Sequence, residues 1–167
     1  MFFDELARLA PSAVAIGDFD GVHIGHAAII AHLCDYAEGH GLTPVALTFD
    51  VNTKHSKALT GSDKKRDLLI SCGAGAVVTA PFAELKDIPA EEFASRLAEC
   101  GVKAAVCGED FRFGKGALGD VKVLANAGIE AVVLPPIKAL GDKVSSTRIR
   151  HAVAEGDDTL VSLLLGR

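Results

Sequence analysis

Two histidines three residues apart, His23 and His26, frame Gly25 in the run Gly17-Asp18-Phe19-Asp20-Gly21-Val22-His23-Ile24-Gly25-His26. The run follows the apolar stretch Ala13-Val14-Ala15-Ile16 directly. An apolar stretch, a glycine-bearing turn and a helix-like segment in that order place the histidines where a strand hands over to a helix. A helix N-terminus offers free backbone N–H groups and partial positive charge. Glycines let a backbone approach an anion closely, and the imidazoles add donors. The chemistry this suits is phosphate binding, which makes the segment a candidate nucleotide site. Metal binding is weakly supported, because H-x-x-H lacks a third and fourth ligand at a recognisable spacing. Asp20 reads equally as a turn residue holding Gly21 and as a participant in the site.

Three further segments are chemically loaded. Residues 108–116, Gly-Glu-Asp-Phe-Arg-Phe-Gly-Lys-Gly, combine aromatics, acids and bases on a glycine frame. They are not a P-loop: the glycine spacing is one residue too long, and Lys115 precedes Gly rather than Ser or Thr. Phe111 and Phe113 suit stacking on a planar heterocycle, the alternative being that both fold back into the core. Residues 144–150, Val-Ser-Ser-Thr-Arg-Ile-Arg, open a helix with hydroxyls and put Arg148 and Arg150 in its first turns. Arginines there oppose the helix dipole unless an anion binds nearby, which favours a polyphosphate site. Residues 48–55 are polar and say little alone. Lys64-Lys65-Arg66 reads as a solvated helix face, and Cys107 has no evident base near it in sequence.

The elements that must position these segments follow from periodicity. Apolar strands are predicted at 12–16, 43–49, 76–80, 103–107 and 129–134. Helices are predicted at 25–38, at 62–71 with Ser62 as N-cap, from Pro89 to 99, at 121–127, from Ser145 or Ser146 to 154, and at 158–165. Residues 2–9 form a short helix or arm, and 50–60 a loop. Five strands alternating with helices imply an α/β fold: a doubly wound parallel sheet with right-handed crossovers and helices on both faces. Ligands in such folds bind beyond the C-terminal strand ends. The loaded segments follow strands one, two, four and five, so one composite site is expected.

The 167 residues fit one domain, with 49% apolar residues and a formal charge of −5. That balance argues against a basic surface for duplex nucleic acid, so no nucleic-acid partner is expected. Cys34, Cys72, Cys100 and Cys107 form no C-x-x-C pair and read as small apolar residues in a reducing cytosol. The N-terminus lacks the pattern of a signal peptide, and no apolar run approaches membrane-spanning length. A cytoplasmic protein without a membrane partner is expected; the oligomeric state is open.

The His23-Ile24-Gly25-His26 motif resembles that of the nucleotidyltransferases related to class I aminoacyl-tRNA synthetases. The longer set is more specific. Gly17-x-Phe19-Asp20-Gly21-Val22-His23-x-Gly25-His26, Gly108-x-Asp110-Phe111-x-Phe113-Gly114 and Ser145-Ser146-Thr147-x-Ile149-Arg150 together resemble the adenylyltransferase module of bacterial FAD synthetase, in the same order. The resemblance implies a Rossmann-like domain over residues 1–167 that transfers AMP from ATP to FMN with Mg²⁺, giving FAD and pyrophosphate. It implies that His23, His26 and Arg150 are catalytic. It places Gly17, Phe19, Asp20, Gly21, Gly25, Gly108, Ser146, Thr147 and Arg148 on the ATP side, and Asp110, Phe111, Phe113 and Asn52 on the flavin side. No dedicated protein cage for the metal is implied. Other readings remain a nucleotidyltransferase with a different phosphorylated acceptor, or a nucleotide- or flavin-binding regulator without turnover.

Three departures accompany the resemblance. The family pattern Thr-Phe-x-Pro-His-Pro is here Thr48-Phe49-Asp50-Val51-Asn52-Thr53. Asp18 stands where a small polar residue such as Asn or Ser is expected, and adds negative charge beside a triphosphate unless it meets Mg²⁺ or a basic partner. Residues 163–167, Leu-Leu-Leu-Gly-Arg, resemble a segment that in fused enzymes leads into a riboflavin kinase domain; no kinase domain, and so no riboflavin phosphorylation, is expected of this chain.

Overall fold

The computed structural model describes residues 1–50 and 58–167. Asn52, expected on the flavin side, lies outside the described residues. Strands β1 (Ser12–Ile16), β2 (Thr43–Phe49), β3 (Ala76–Ala80), β4 (Val102–Gly108) and β5 (Glu130–Leu134) form one sheet in the order β3-β2-β1-β4-β5. All four pairings are parallel. The order reverses between β1 and β4, so a crevice opens there at the C-terminal strand ends.

Side-chain alternation in these short strands feeds two cores. Val14 and Ile16 of β1 join Val45, Leu47, Val102 and Ala105 on one face, under Phe2, Phe3 and Leu6 of α1 (Phe2–Ala7) and Phe93 and Leu97 of α5 (Ala90–Glu99). Ala13 and Ala15 join Ala46 and Ala104 on the other, under Ile30, Leu33 and Ala37 of α2 (Ile24–His40) and Leu69 of α3 (Ser62–Ser71). Both faces of β1 are covered, so its five residues are all buried. The alanine-rich face leaves room for α2 to lie close over β1, β2 and β4.

Boundaries differ from the sequence reading where tertiary contacts decide them. Helix α2 starts at Ile24 and stops at Gly41, whose φ of +65° suits glycine. Gly61, not Ser62, is the N-cap of α3, and Pro89 is the N-cap of α5 rather than a residue of its first turn. A one-turn α4 (Phe82–Leu85) and a hairpin of β6 (Lys138–Ala139) and β7 (Asp142–Lys143) are too short to show periodicity. After α6 (Val121–Asn126) and β5, the chain ends with α7 (Ser146–Glu155) and α8 (Asp158–Leu165). A third apolar cluster of Val144, Ile149 and Leu164 packs these last helices beside Ile24 at the start of α2. That packing brings the 144–150 segment next to the histidine turn.

Candidate active site

The turn after β1 is built around the two imidazoles. His23 is the N-cap of α2, with extended backbone. Its Nδ1 accepts the backbone N–H of His26 at 3.2 Å, and Nδ1 of His26 accepts the N–H of His23 at 3.3 Å. This reciprocal capping uses the two rings as a capping box uses an acid and a hydroxyl. With both Nδ1 atoms accepting, the neutral rings carry their protons on Nε2. The rings stack with centroids 3.6 Å apart at 14°, and Phe19 meets His26 edge-on at 5.2 Å. Gly25 is required by the same packing, since a Cβ there would lie 3.0 Å from the His23 ring.

Burial makes both imidazoles weak bases. His23 is 5% exposed, and its pKa falls to about 4, chiefly through desolvation, with Lys143 adding repulsion. His26 is pushed well below 6.5 by burial, then by His23 and Lys65. At neutral pH the pair therefore presents two neutral Nε2–H donors rather than two cations. The linkage has a definite sign. Between pH 6.5 and about 4 the unfolded chain takes up protons at these positions and the native state does not. Stability is fully present above pH 6.5 and is lost as pH falls through that window, by about 3 kcal/mol for His23 at most. Urea denaturation at pH 7 and pH 4.5 checks this, and His23→Gln is expected to flatten part of the difference.

Asp20 is the hub beneath the turn. It is 1% exposed, and its carboxylate accepts the backbone N–H groups of Leu59 and Thr60 at 2.9 and 3.1 Å. It also forms an ion pair with Arg150 of α7. The Ser146 hydroxyl donates to the Asp20 carbonyl at 2.8 Å. Ser145 caps α7, accepting the N–H of Arg148. Arg148 points away from the histidines: its guanidinium donates to the carbonyls of Ala139 and Asp142 in the hairpin.

Two cavities of about 410 Å³ each meet at the end of β1, both lined by Ile16, Gly17 and Phe111. The first contains Phe19, His23, Gly25 and His26, with Ile29 and His32 of α2, Gly108 at the end of β4 and Asp110 just beyond it, Pro135 and Pro136 after β5, and Lys143, Ser145 and Ser146. The second is aromatic, lined by Phe49, Phe82, Phe93, Phe111 and Phe113. Asp20, Gly21, Thr147, Arg148 and Arg150 line neither cavity; Thr147 is exposed, and Gly21 sits with φ +83° against Leu59.

Several expectations meet a different geometry. The 108–116 loop is tied down: Phe113 and Gly119 exchange backbone hydrogen bonds, and Lys115 N–H donates to the Ile88 carbonyl. Phe113 is 7% exposed and belongs to the core, stacked at 5.5 Å on the half-buried Phe111. Asp110 faces the histidine cavity, where it pairs with Lys143. In the Lys64-Lys65-Arg66 run Lys64 and Arg66 are exposed as expected, but Lys65 is not: it is 1% exposed and ion-paired with Asp18 at 3.8 Å. The extra acid of the turn thus meets a base of this chain. Cys107 is buried and its thiol is pushed up to about 11 by desolvation, so it carries almost no thiolate at neutral pH. Among the described residues, no three His, Cys, Asp or Glu side chains are grouped to hold a metal, and no helix is long and apolar enough to cross a membrane.

Sequence reasoning missed Lys65, Lys143, His32 and Arg167. Lys65 sits in a charged run that looks solvated, and Lys143 in a hairpin of two-residue strands. His32 has one signal, lying six residues beyond His26 on the same helix.

A doubly wound sheet with a histidine-capped helix at its crevice and hydroxyls beside it is an arrangement suited to holding nucleotide phosphates. The profile of the FAD synthetase family matches residues 6–148, and the chain belongs to that family. A Geobacillus thermodenitrificans protein, provisionally described as a bifunctional riboflavin kinase/FMN adenylyltransferase, is 33% identical over 163 residues, covering 95% of this chain and 91% of that one. The bifunctional riboflavin kinase/FMN adenylyltransferase of Listeria monocytogenes is 31% identical, covering 92% of this chain and 53% of its own length. A solved structure described as a macrolide-efflux protein from Streptococcus pneumoniae superposes with a TM-score of 0.81 at 26% identity, covering 93% of this chain and 55% of that one. The chain thus spans about half the length of the last two proteins.

Proposed function

We propose that this chain transfers AMP from ATP to FMN, forming FAD and releasing pyrophosphate. The observation that carries this is the meeting of two cavities at Gly17, one bearing the neutral histidine pair and the other lined with phenylalanines. The histidine cavity suits ATP: apolar walls for the base and Nε2–H donors for the phosphates. The aromatic cavity suits the isoalloxazine ring, with Phe111 common to both.

An oxygen of the FMN phosphate attacks the α-phosphorus of ATP, a new P–O bond forms, and the α–β bridging bond breaks, leaving pyrophosphate. The nucleophile is already anionic, so no general base is needed. Catalysis reduces to alignment and charge stabilisation. The Nε2–H groups of His23 and His26 donate to phosphate oxygens as charge builds there. Ser146, at the start of α7, lines the histidine cavity and meets the β- and γ-phosphates; Thr147 and the Asp20-oriented Arg150 line neither cavity, and in this reading meet the phosphates beyond the edge of the histidine cavity. Of the carboxylates at and beneath the site, Asp18 is engaged with Lys65, Asp20 with Arg150 and Asp110 with Lys143, and Glu109 also lines the histidine cavity. They do not form a metal cage, so Mg²⁺ would arrive on the nucleotide phosphates and neutralise part of their charge.

In this reading residues 1–167 act as one cytoplasmic adenylyltransferase domain. The test supplies ATP and Mg²⁺ with FMN, or with other phosphorylated acceptors, and follows pyrophosphate release and FAD. FAD with FMN alone is the expected result. Turnover of another acceptor without FAD overturns the acceptor assignment, and nucleotide binding with no pyrophosphate from any acceptor overturns the enzymatic one.

A further inference from the structure

The histidine turn is gripped from outside by two cations that the reaction above does not use. Lys65 of α3 donates to the carbonyls of Asp18 and Phe49 at 2.9 and 2.8 Å, tying the end of β2 to the turn after β1. Arg167 donates to the carbonyls of Gly21 and Val22 at 2.7 and 2.9 Å. Between these grips the backbone takes positive φ at Phe19 (+52°), Gly21 (+83°) and Val22 (+43°). Phe and Val rarely adopt such values, and they persist only where surrounding contacts over-determine them.

Planarity of the peptide carries each grip inward. In a trans peptide the C=O and the following N–H point in opposite directions. The carbonyl of Val22, turned to Arg167, belongs to the same plane as the N–H of His23, which donates to Nδ1 of His26. The carbonyl of Gly21, also on Arg167, shares a plane with the N–H of Val22, which closes the turn on the Phe19 carbonyl at 3.1 Å. On the other side, the Asp18 carbonyl is shared by Lys65 and the Thr48 hydroxyl. Loss of Arg167 frees the Val22–His23 peptide plane to rotate, and with it the His26 ring hydrogen-bonded to that plane. Loss of Lys65 frees the Asp18–Phe19 plane, and with it Phe19, whose ring meets His26 edge-on at 5.2 Å.

We propose that Lys65 and Arg167 are positioning residues that fix the turn's carbonyls outward, and thereby hold the His23–His26 pair with both Nε2–H groups aimed into the cavity. The proposal rests on the reading that this pair acts on phosphate. It assigns a role in the active site to α3 and to the last residue of the sequence, neither of which lines the histidine cavity.

The test compares Lys65→Met and Arg167→Gln with Arg66→Gln. Arg66 lies on the same helix and donates to a carbonyl of β3, Val77, at 3.1 Å. It therefore controls for the loss of a cation-to-carbonyl bond away from the turn. Two readouts are used: kcat and KM for FAD formation, and the ¹H–¹³C ring signals of His23 and His26. Displacing reacting groups by an ångström costs up to about 100-fold. Lys65→Met and Arg167→Gln are expected to lower kcat about 10- to 100-fold and to move both ring signals, with partial recovery in Arg167→Lys. Arg66→Gln is expected to do neither. Unchanged kcat and ring signals in the clamp variants, or equal losses in Arg66→Gln, overturn the proposal. If Lys65→Met does not fold, Arg167→Gln decides by the same readouts. If the wild-type chain makes no FAD, the activity reading fails while the ring signals still decide whether the clamp holds the histidines.

Discussion

His26→Ala is expected to lower FAD formation by about 10²–10³-fold, the usual loss on deleting one preorganised donor from a desolvated site. Two features make the pair sensitive to the loss of His26. Its ring lies stacked on His23 with its proton fixed on Nε2, and its Nδ1 accepts the N–H of His23. Removing the ring takes away one donor and lets the other tilt. The cost to stability is expected to be near that of losing one helix cap, about 1 kcal/mol. Steady-state kinetics beside urea denaturation separate the two effects. A variant that retains more than a tenth of wild-type turnover would contradict the role assigned to the pair.

Asp20→Ala is expected to have the opposite balance, with the largest effect on the fold around the site. The buried carboxylate accepts two backbone N–H groups from the segment before α3 and pairs with Arg150 of α7. Removing one partner of a buried ion pair costs about 3–5 kcal/mol, because the other is left uncompensated. In a chain of this size that corresponds to a fall in Tm of roughly 10 °C. Asp20→Asn keeps the shape and an acceptor while losing the charge, and is expected to fall between wild type and alanine. Differential scanning calorimetry measures both. A Tm within 2 °C of wild type in Asp20→Ala, roughly the shift from 1 kcal/mol, would contradict the hub role. Activity is expected to fall with stability, since Asp20 also orients Arg150.

The contrast between these residues also shows what a sequence can disclose. Strands β1, β2 and β3 and helix α8 lie where apolar runs and turn residues place them, since a buried strand of five to seven residues leaves a continuous apolar record. The histidine turn was legible for the same reason, because its elements and its glycines are local. Partnerships across the chain were not. Asp18 reads as an uncompensated acid until α3 brings Lys65 beneath it, 47 residues away. Lys65 itself reads as solvent-facing, because a buried ammonium held by two carbonyls looks like any other lysine in a charged run. Phe113 reads from sequence either as a residue that stacks on a heterocycle or as one that folds back into the core, and the Phe113–Gly119 bridge folds it into the core while it still borders the aromatic cavity. Apart from the family resemblance, residue type and position alone do not distinguish Arg148 from Arg150 at the start of α7. Two positions of helix rotation send one to the hairpin carbonyls and the other to Asp20.

The central claim is that AMP passes from ATP to FMN at the junction of the two cavities. It is tested most directly by incubating the wild-type protein with Mg²⁺, FMN and ATP labelled at the α-phosphorus, then separating the flavins. The label is expected in FAD and in no other flavin, with one pyrophosphate released per FAD formed. Label that stays in ATP or appears only in free AMP, with FMN unchanged, would contradict it.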